Sequence, residues 1–308
     1  MPETTLTVII CTYNRARIIG DCLDSLCAQG LSPLQDLPIL VVNNNSTDNT
    51  RQLVQSYVER LPGLRMVDEA AQGLSHARNR ALKEAQTPWL AFLDDDARAY
   101  PDWVETILAV IAGGDFDAFG GPYYAWHRFG PPPAWFAPEW GAYAPLQAYG
   151  PLCAPAYISG GNCVVKKAAA LAVGAFPVTL GMHGEKRIAY GEETRLFESM
   201  KRAGYRLGFV PEMRIDHCVM PHKYTLRWRL ASSYAGGRDA PAAFMEQMTL
   251  RGMYRAWRQF FADSLLRAPR RAIHSLRARH PWQRIFLDVF SPCAYNLGRA
   301  VCFSRNIL

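Results

Sequence analysis

Three carboxylates in a row, Asp94-Asp95-Asp96, follow directly on the apolar run Trp89 to Leu93 (WLAFL). Side by side, such groups repel one another unless a cation or hydrogen-bond donors offset their charge. Two readings are open. Aspartate is favoured in turns and at helix N-caps, so the triplet could be a solvated turn ahead of a helix over Asp102 to Ile111. Alternatively, hard carboxylate oxygens suit Mg2+ or Mn2+, whose sites commonly combine one or two carboxylates with substrate phosphates. The position at a strand end favours the metal. A second acidic pair, Glu192-Glu193, opens a helical run and reads equally as acids complementing a helix macrodipole or as a base tuned by burial.

The elements that would hold these groups are legible as alternating strands and helices. Leu6 to Cys11 (LTVIIC) and Leu37 to Val42 (LPILVV) are unbroken apolar runs, the pattern of strands buried on both faces. Ile18 to Ala28 has helical apolar spacing closed by Gly30, and Asn49 to Leu61 reads as the next helix. Arg65 to Asp68 is a third strand, Leu74 to Ala85 a third helix and Trp89 to Leu93 a fourth strand. Strand, helix, strand, helix implies parallel pairing. In such sheets ligands lie at the carboxyl ends of the strands. Thr12 to Arg15, Asn43 to Asp48 and Asp94 to Asp96 all stand at such ends, so three polar clusters converge on one edge.

From Phe116 to Val165 the pattern is irregular, rich in proline and aromatics, and long ordered loops of this kind often carry function. A strand entered through Gly160-Gly161 then runs to Val165, with a helix over Lys166 to Val173. Glu192 opens a helix to Ala203, stopped by Gly204, and Arg206 to Val210 reads as a strand.

Six segments bear a resemblance. VIICTYNR (8 to 15), VVNNNSTDNT (41 to 50), GLSHARNRAL (73 to 82), FLDDDA (92 to 97), ISGGNCVV (158 to 165) and GEETRLFESMKRAGYRLGFVPE (191 to 212) follow the order of the inverting family 2 glycosyltransferases. The chain resembles that family between residues 5 and 220. The resemblance implies an α/β GT-A fold, a Rossmann-like mixed sheet flanked by helices. It also implies transfer of a sugar from a nucleotide diphosphate, a UDP-sugar first, to an acceptor hydroxyl in polysaccharide, cell-envelope glycan or glycolipid synthesis. Carried over residue by residue, it puts Thr12, Asn14 and Arg15 beside the nucleotide, Asn43 and Asn45 near the base, and Arg78, Asp94 and Asp95 on the nucleotide-sugar. Asn43 departs from the family's usual Asp. The same transfer makes Asp96 the direct ligand of Mn2+ or Mg2+, with His217 approaching the metal, and makes Glu193 the general base with Glu192 in reserve. Gly160, Gly161 and Asn162 would shape the acceptor side, and His183 lies on an acceptor-side loop. The donor half then covers residues 1–115, the acceptor half 116–223, and a basic aromatic helical extension 224–308.

Charge supports that division. The overall +7 conceals 20 basic and 23 acidic residues up to Lys223, followed by 14 arginines against four acids. A uniformly basic nucleic-acid-binding module is disfavoured, since its field would be expected on the recognition domain. An Arg-rich nucleic-acid binder leaves the strand-end clusters unexplained, and a nucleotidyl or phosphoryl transferase is expected to carry a GxxxxGK[ST] loop, which is missing here. In the tail, Arg251, Arg255 and Arg258 recur at helical spacing, and Tyr254, Trp257 and Phe261 recur on another face. This describes either a basic amphipathic helix at an anionic membrane or a helical cap with solvated arginines. A lipid-linked or glycan acceptor suits the first. No apolar stretch reaches the ~20 residues of a spanning helix. The N-terminus lacks the layout of an export signal, and the eight cysteines form no CxxC pair. The expected location is the cytoplasm, with the tail at the inner face of the membrane.

Overall fold

The computed structural model describes residues 5–30, 37–184 and 188–307. The first four residues of the N-terminal stretch lie outside that range. Two compact units are formed. The first comprises residues up to Trp126, Gly141–Thr179 and Glu192–Cys218.

Its strands β1 (Leu6–Thr12), β2 (Ile39–Asn43), β3 (Leu64–Asp68) and β4 (Trp89–Leu93) pair in parallel in the order β3-β2-β1-β4. They alternate with helices α1 (Ile19–Cys27), α2 (Thr50–Gln55) and α3 (Leu74–Glu84). A short strand β5 (Ala97–Ala99) and helix α4 (Trp103–Gly113) follow, then β6 (Ala118–Gly120), β7 (Tyr123–Trp126) and β8 (Gly150–Pro151). β9 (Asn162–Lys166) runs antiparallel between β4 and β6, which makes the sheet mixed. Helices α5 (Lys167–Ala172) and α6 (Glu192–Arg202) precede β10 (Leu207–Phe209), which pairs with β6 and β8, and β11 (Ile215–Cys218).

Period-two alternation sorts the strand side chains into two cores. Val8, Ile10, Val41, Leu93 and Val164 pack with residues of α1, α2 and α4 on one face. Ile9, Val42, Phe92 and Val165 pack with α3, α5 and α6 on the other. Burial on both faces is why these strands read as unbroken apolar runs. α2 stops at Gln55, short of the expected Leu61. There the Ser56 hydroxyl donates to the Leu53 carbonyl at 2.7 Å, a local bond that competes with continuing the helix.

A second, three-stranded sheet pairs β11 antiparallel to β5 and parallel to β7. It places His217 opposite Ala97. The tight connection from β4 through Asp94–Asp96 into β5 therefore sits beside β11, and the Cys218 N–H donates to the Asp96 carbonyl at 2.8 Å.

The second unit gathers His127–Trp140, Leu180–Gly191 and Val219–Leu308. Its helices are α7 (Leu226–Ala243), α8 (Leu250–Ala262), α9 (Ala268–Arg277) and α10 (Trp282–Ile307). α7 and α10 cross at two glycines, Gly237 and Gly298. A Cβ on either would lie within 2.1 Å of a backbone oxygen of the other helix. Trp257 turns inward and donates to the Ser304 hydroxyl, whereas Tyr254 and Phe261 are exposed with Arg251, Arg255 and Arg258. The aromatic face expected on α8 is thus divided between core and surface. Among the described residues no helix is long and apolar enough to cross a membrane.

Candidate active site

All of the groups described here as the site lie in the first unit, at the carboxyl ends of its parallel strands. At the end of β1, Asn14 adopts a left-handed conformation with φ of 54°. Its side-chain Oδ1 accepts from the Thr47 N–H at 2.8 Å, and its backbone N–H donates to the Ser46 hydroxyl at 3.0 Å. The Arg15 N–H donates to Thr50 Oγ1, so the loops after β1 and β2 are zipped together. The Thr12 hydroxyl is buried at the strand end, next to the Asp95 carboxylate.

The asparagines after β2 shape the neighbouring loop. Asn43 donates to Asp68 Oδ1 at 2.9 Å and accepts from the Ser46 N–H, and Asp68 also pairs with Arg51. Asn44 donates to the Glu69 and Ala71 carbonyls and accepts from the Gly73 N–H at 2.7 Å. Asn45 donates to the Ala70 carbonyl. Asn44, which the motif comparison passed over, is the most fully engaged of the three. Its place in the middle of the Asn43-Asn44-Asn45 run was its signal in the sequence.

The aspartate triplet is divided by function. Asp94, Asp96 and His217 each offer one ligand atom, and these atoms lie within 4.8 Å of one another. His217 Nε2 stands 3.3 Å from Asp96 Oδ1 and 3.9 Å from Asp94 Oδ2. Two ligand atoms on one octahedral ion at ~2.1 Å are separated by about 3 Å when adjacent and about 4 Å when opposite. The three side chains therefore fit a single divalent cation. Asp95 points elsewhere, to Arg15, whose Nε donates to Asp95 Oδ1 at 3.2 Å. Burial pushes the Asp95 carboxyl above the usual range, and Arg15 opposes the shift. The same contact, with Asp96 close by, raises the Arg15 guanidinium.

Arg78 links the aspartates to the acidic pair on α6. It projects inward from α3, with its side chain only 4% exposed. Nη1 donates to Glu192 Oε1 at 2.7 Å, and Nη2 lies 3.8 Å from Asp94 Oδ1. Burial works against its charge, but Glu192 and Asp94 outweigh that and hold it protonated. Arg78 is thus neither a solvated helix-surface arginine nor free to reach outward. Glu193, the next residue, is half-buried. Burial first, and the Glu192 carboxylate second, push its carboxyl well above the ordinary range, with Arg78 opposing.

Gly160 and Gly161 make room for this network. A Cβ on Gly160 would sit 2.6 Å from Arg78 Nη2, and one on Gly161 only 2.0 Å from Asp94 Oδ2. Asn162 faces the core instead of the acceptor side, fully buried. It accepts from Trp103 Nε1 at 2.9 Å and donates to the Pro122 and Met213 carbonyls. His183 belongs to the second unit, where Nδ1 contacts the Gly181 carbonyl within its own loop.

Three tyrosines from the irregular region complete the surroundings. The Tyr123 ring lies 5.5 Å from His217, Tyr143 lies 5.8 Å from Tyr123, and Tyr157, 46% exposed, lies 4.0 Å from Tyr143. Burial pushes the Cys11 and Cys163 thiols up to about 12, so neither is a thiolate nucleophile at neutral pH.

A mixed sheet whose strand ends carry an acidic cluster suited to a divalent cation is the GT-A arrangement, and comparison with known proteins agrees on the fold. The sequence profile of Glycosyl transferase family 2 matches residues 7–147. The chain is 28% identical over 264 residues to the succinoglycan biosynthesis protein ExoM of Rhizobium meliloti, covering 83% of this chain and 81% of that protein. The mannosyltransferase PcManGT of Pyrobaculum calidifontis, solved with GDP-Man and Mn2+, superposes with a TM-score of 0.64 at 20% identity, over 100% of this chain and 89% of that one. TarS of S. aureus, solved with UDP-GlcNAc, gives 0.57 at 16% identity over 96% and 90%. The match to the family 2 model thus takes in a little under half of the chain, and the protein is an enzyme of the transferase class.

Proposed function

We propose that this transferase moves a sugar from a nucleotide diphosphate, a UDP-sugar first, to an acceptor hydroxyl by single displacement with inversion. The product would be a polysaccharide, cell-envelope glycan or glycolipid. The observation that carries this reading is Arg78. One guanidinium touches both Asp94 of the metal cluster and Glu192, the neighbour of the base, so the two halves of the chemistry stand within one side chain's reach.

Glu193 accepts the proton of the acceptor hydroxyl. Its raised pKa brings it closer to the operating pH, where a general base is most effective. Thr12, Asn14 and Arg15 line the strand end that would face the nucleotide. Asp94, Asp96 and His217 would hold the divalent cation. When bound, that ion supplies positive charge against the charge growing on the departing diphosphate. Two carboxylates with an imidazole favour Mn2+ over Mg2+, because Mg2+ prefers an all-oxygen shell. Tyr157 and Tyr143 offer an aromatic face to an acceptor sugar ring.

ExoM acts in succinoglycan synthesis by its name, which supports a carbohydrate acceptor. The exposed Tyr254, Phe261, Leu265 and Leu266 beside Arg255 and Arg258 support contact with an anionic bilayer. Thermal stabilisation by UDP-, GDP- and dTDP-sugars, each with and without Mn2+, tests the donor assignment. A metal-dependent shift with one base is expected, and indifference to all of them would remove the transferase mechanism.

A further inference from the structure

The second unit has an open cavity of about 650 Å³ between the end of its 127–140 segment and helices α7, α9 and α10. That volume falls within the roughly 300–1,000 Å³ of ligand clefts. Its wall carries four arginines, at 229, 270, 271 and 284, and two histidines, against one carboxylate, Asp288. Asp288 is already engaged, accepting from Arg284 Nε at 2.8 Å and from the Ser275 hydroxyl at 2.8 Å. Arg271 is held bidentately by Asp263.

Arg229 and Arg270 form no ion pair among the described residues. Arg229 is half-buried and stacked 4.4 Å over Trp140 and 4.8 Å over Phe136, and among the described residues its only hydrogen bond reaches the Trp140 carbonyl at a long 3.4 Å. Its Nε is buried without a partner. A desolvated guanidinium left this incompletely satisfied is costly unless a ligand completes it. Burial lowers its pKa to about 10, and neighbouring Arg284 adds to the shift. Ser233 adds a hydroxyl to the same wall, while Ser232 is bonded to the Tyr190 hydroxyl at 2.8 Å. Planar arginine forks with hydroxyls suit the several oxygens of a phosphate group, which they bind bidentately.

We propose that this cavity is an anion site that takes the phosphate or diphosphate group of a ligand, with Arg229 and Arg270 as its uncompensated cations. The site is separate from sugar transfer and requires neither the metal cluster nor Glu193. The group could come from a lipid headgroup or from a soluble phosphate ester, which have the same chemistry at the arginines.

Calorimetric titration of the full chain with inorganic pyrophosphate in EDTA, which silences metal-dependent binding, tests the site. Saturable binding is expected. Arg229→Met and Arg270→Glu should each weaken it by about tenfold or more, while Asp96→Asn leaves it unchanged. Arg270 is exposed, so its variant keeps the fold and decides the matter even if Arg229→Met does not. Absence of binding, or binding undiminished in Arg270→Glu, overturns the proposal. Competition with phosphatidylglycerol vesicles then identifies the source: displacement of pyrophosphate points to a headgroup, retention to a soluble ester, and either result leaves the cavity as the site.

Discussion

Arg78 Nη1 lies 2.7 Å from Glu192 Oε1, with the two side chains 4% and 5% exposed. A pair this deeply buried is worth little over an apolar pair, but breaking it leaves an uncompensated charge, at about 3–5 kcal/mol. Glu192 is therefore committed to Arg78, which leaves Glu193 as the proposed base. Glu193→Gln is expected to lower kcat by about 10²–10⁴, the usual contribution of a general base, with little effect on folding. Glu192→Gln should act chiefly on stability, seen as a lower urea midpoint. The reverse pattern, with Glu192→Gln abolishing turnover in a fully folded protein, would exchange the two roles.

The cation cluster makes a second claim that needs no acceptor. His217→Ala and Asp96→Asn should each weaken Mn2+ binding at least tenfold by calorimetry, about 1.4 kcal/mol or more. Asp95→Asn should affect it less, because Asp95 is turned to Arg15 and not to the cluster. Equal losses at Asp95 and Asp96 would mean that the triplet binds as a patch.

Much of this site was legible in the chain, and the reason differs from residue to residue. The strand ends could be read because unbroken apolar runs stop abruptly at polar clusters. β9 and β11 could not be placed by periodicity, since their partners lie far away in sequence: His217 stands beside Asp96 only because β11 pairs with β5. Motif resemblance named His217 without that reason. Arg78 read equally well as a surface residue, as helix spacing does not reveal which carboxylates a buried guanidinium will meet. Asn162 was placed at the acceptor side by adjacency to two glycines, but strand alternation turns it inward to Trp103. The tyrosines at 123, 143 and 157 were hidden in a region with no periodic pattern at all.

The glycines offer a sharper test of geometry than any charged residue. Gly161→Ala adds no charge and removes no ligand, yet its Cβ would lie 2.0 Å from Asp94 Oδ2 and 2.4 Å from Asp94 Cγ. Asp94 must swing away. Weaker Mn2+ binding is therefore expected from a single methyl group, with the urea midpoint nearly unchanged. Gly160→Ala strikes Arg78 instead, so its loss should appear first as lowered stability.

Glu193 also couples the site to pH with a definite sign. Its carboxyl is raised in the folded protein by burial and by Glu192, so the folded state binds more protons than the unfolded chain over a window opening at the ordinary Glu value of about 4.3. Stability then falls as pH rises through that window, because the slope follows the protons bound in the unfolded minus the folded state. Glu193→Gln is neutral throughout and escapes this loss. Measured in EDTA between about pH 5 and about pH 8, its stability relative to the parent should increase with pH, and parallel curves would show that Glu193 is not perturbed. Turnover moves in the opposite direction. The base must be ionised to take the acceptor proton, so the acidic limb of the rate profile should lie above the ordinary carboxylate range. Proton affinity at Glu193 thus costs stability at the pH values where catalysis gains.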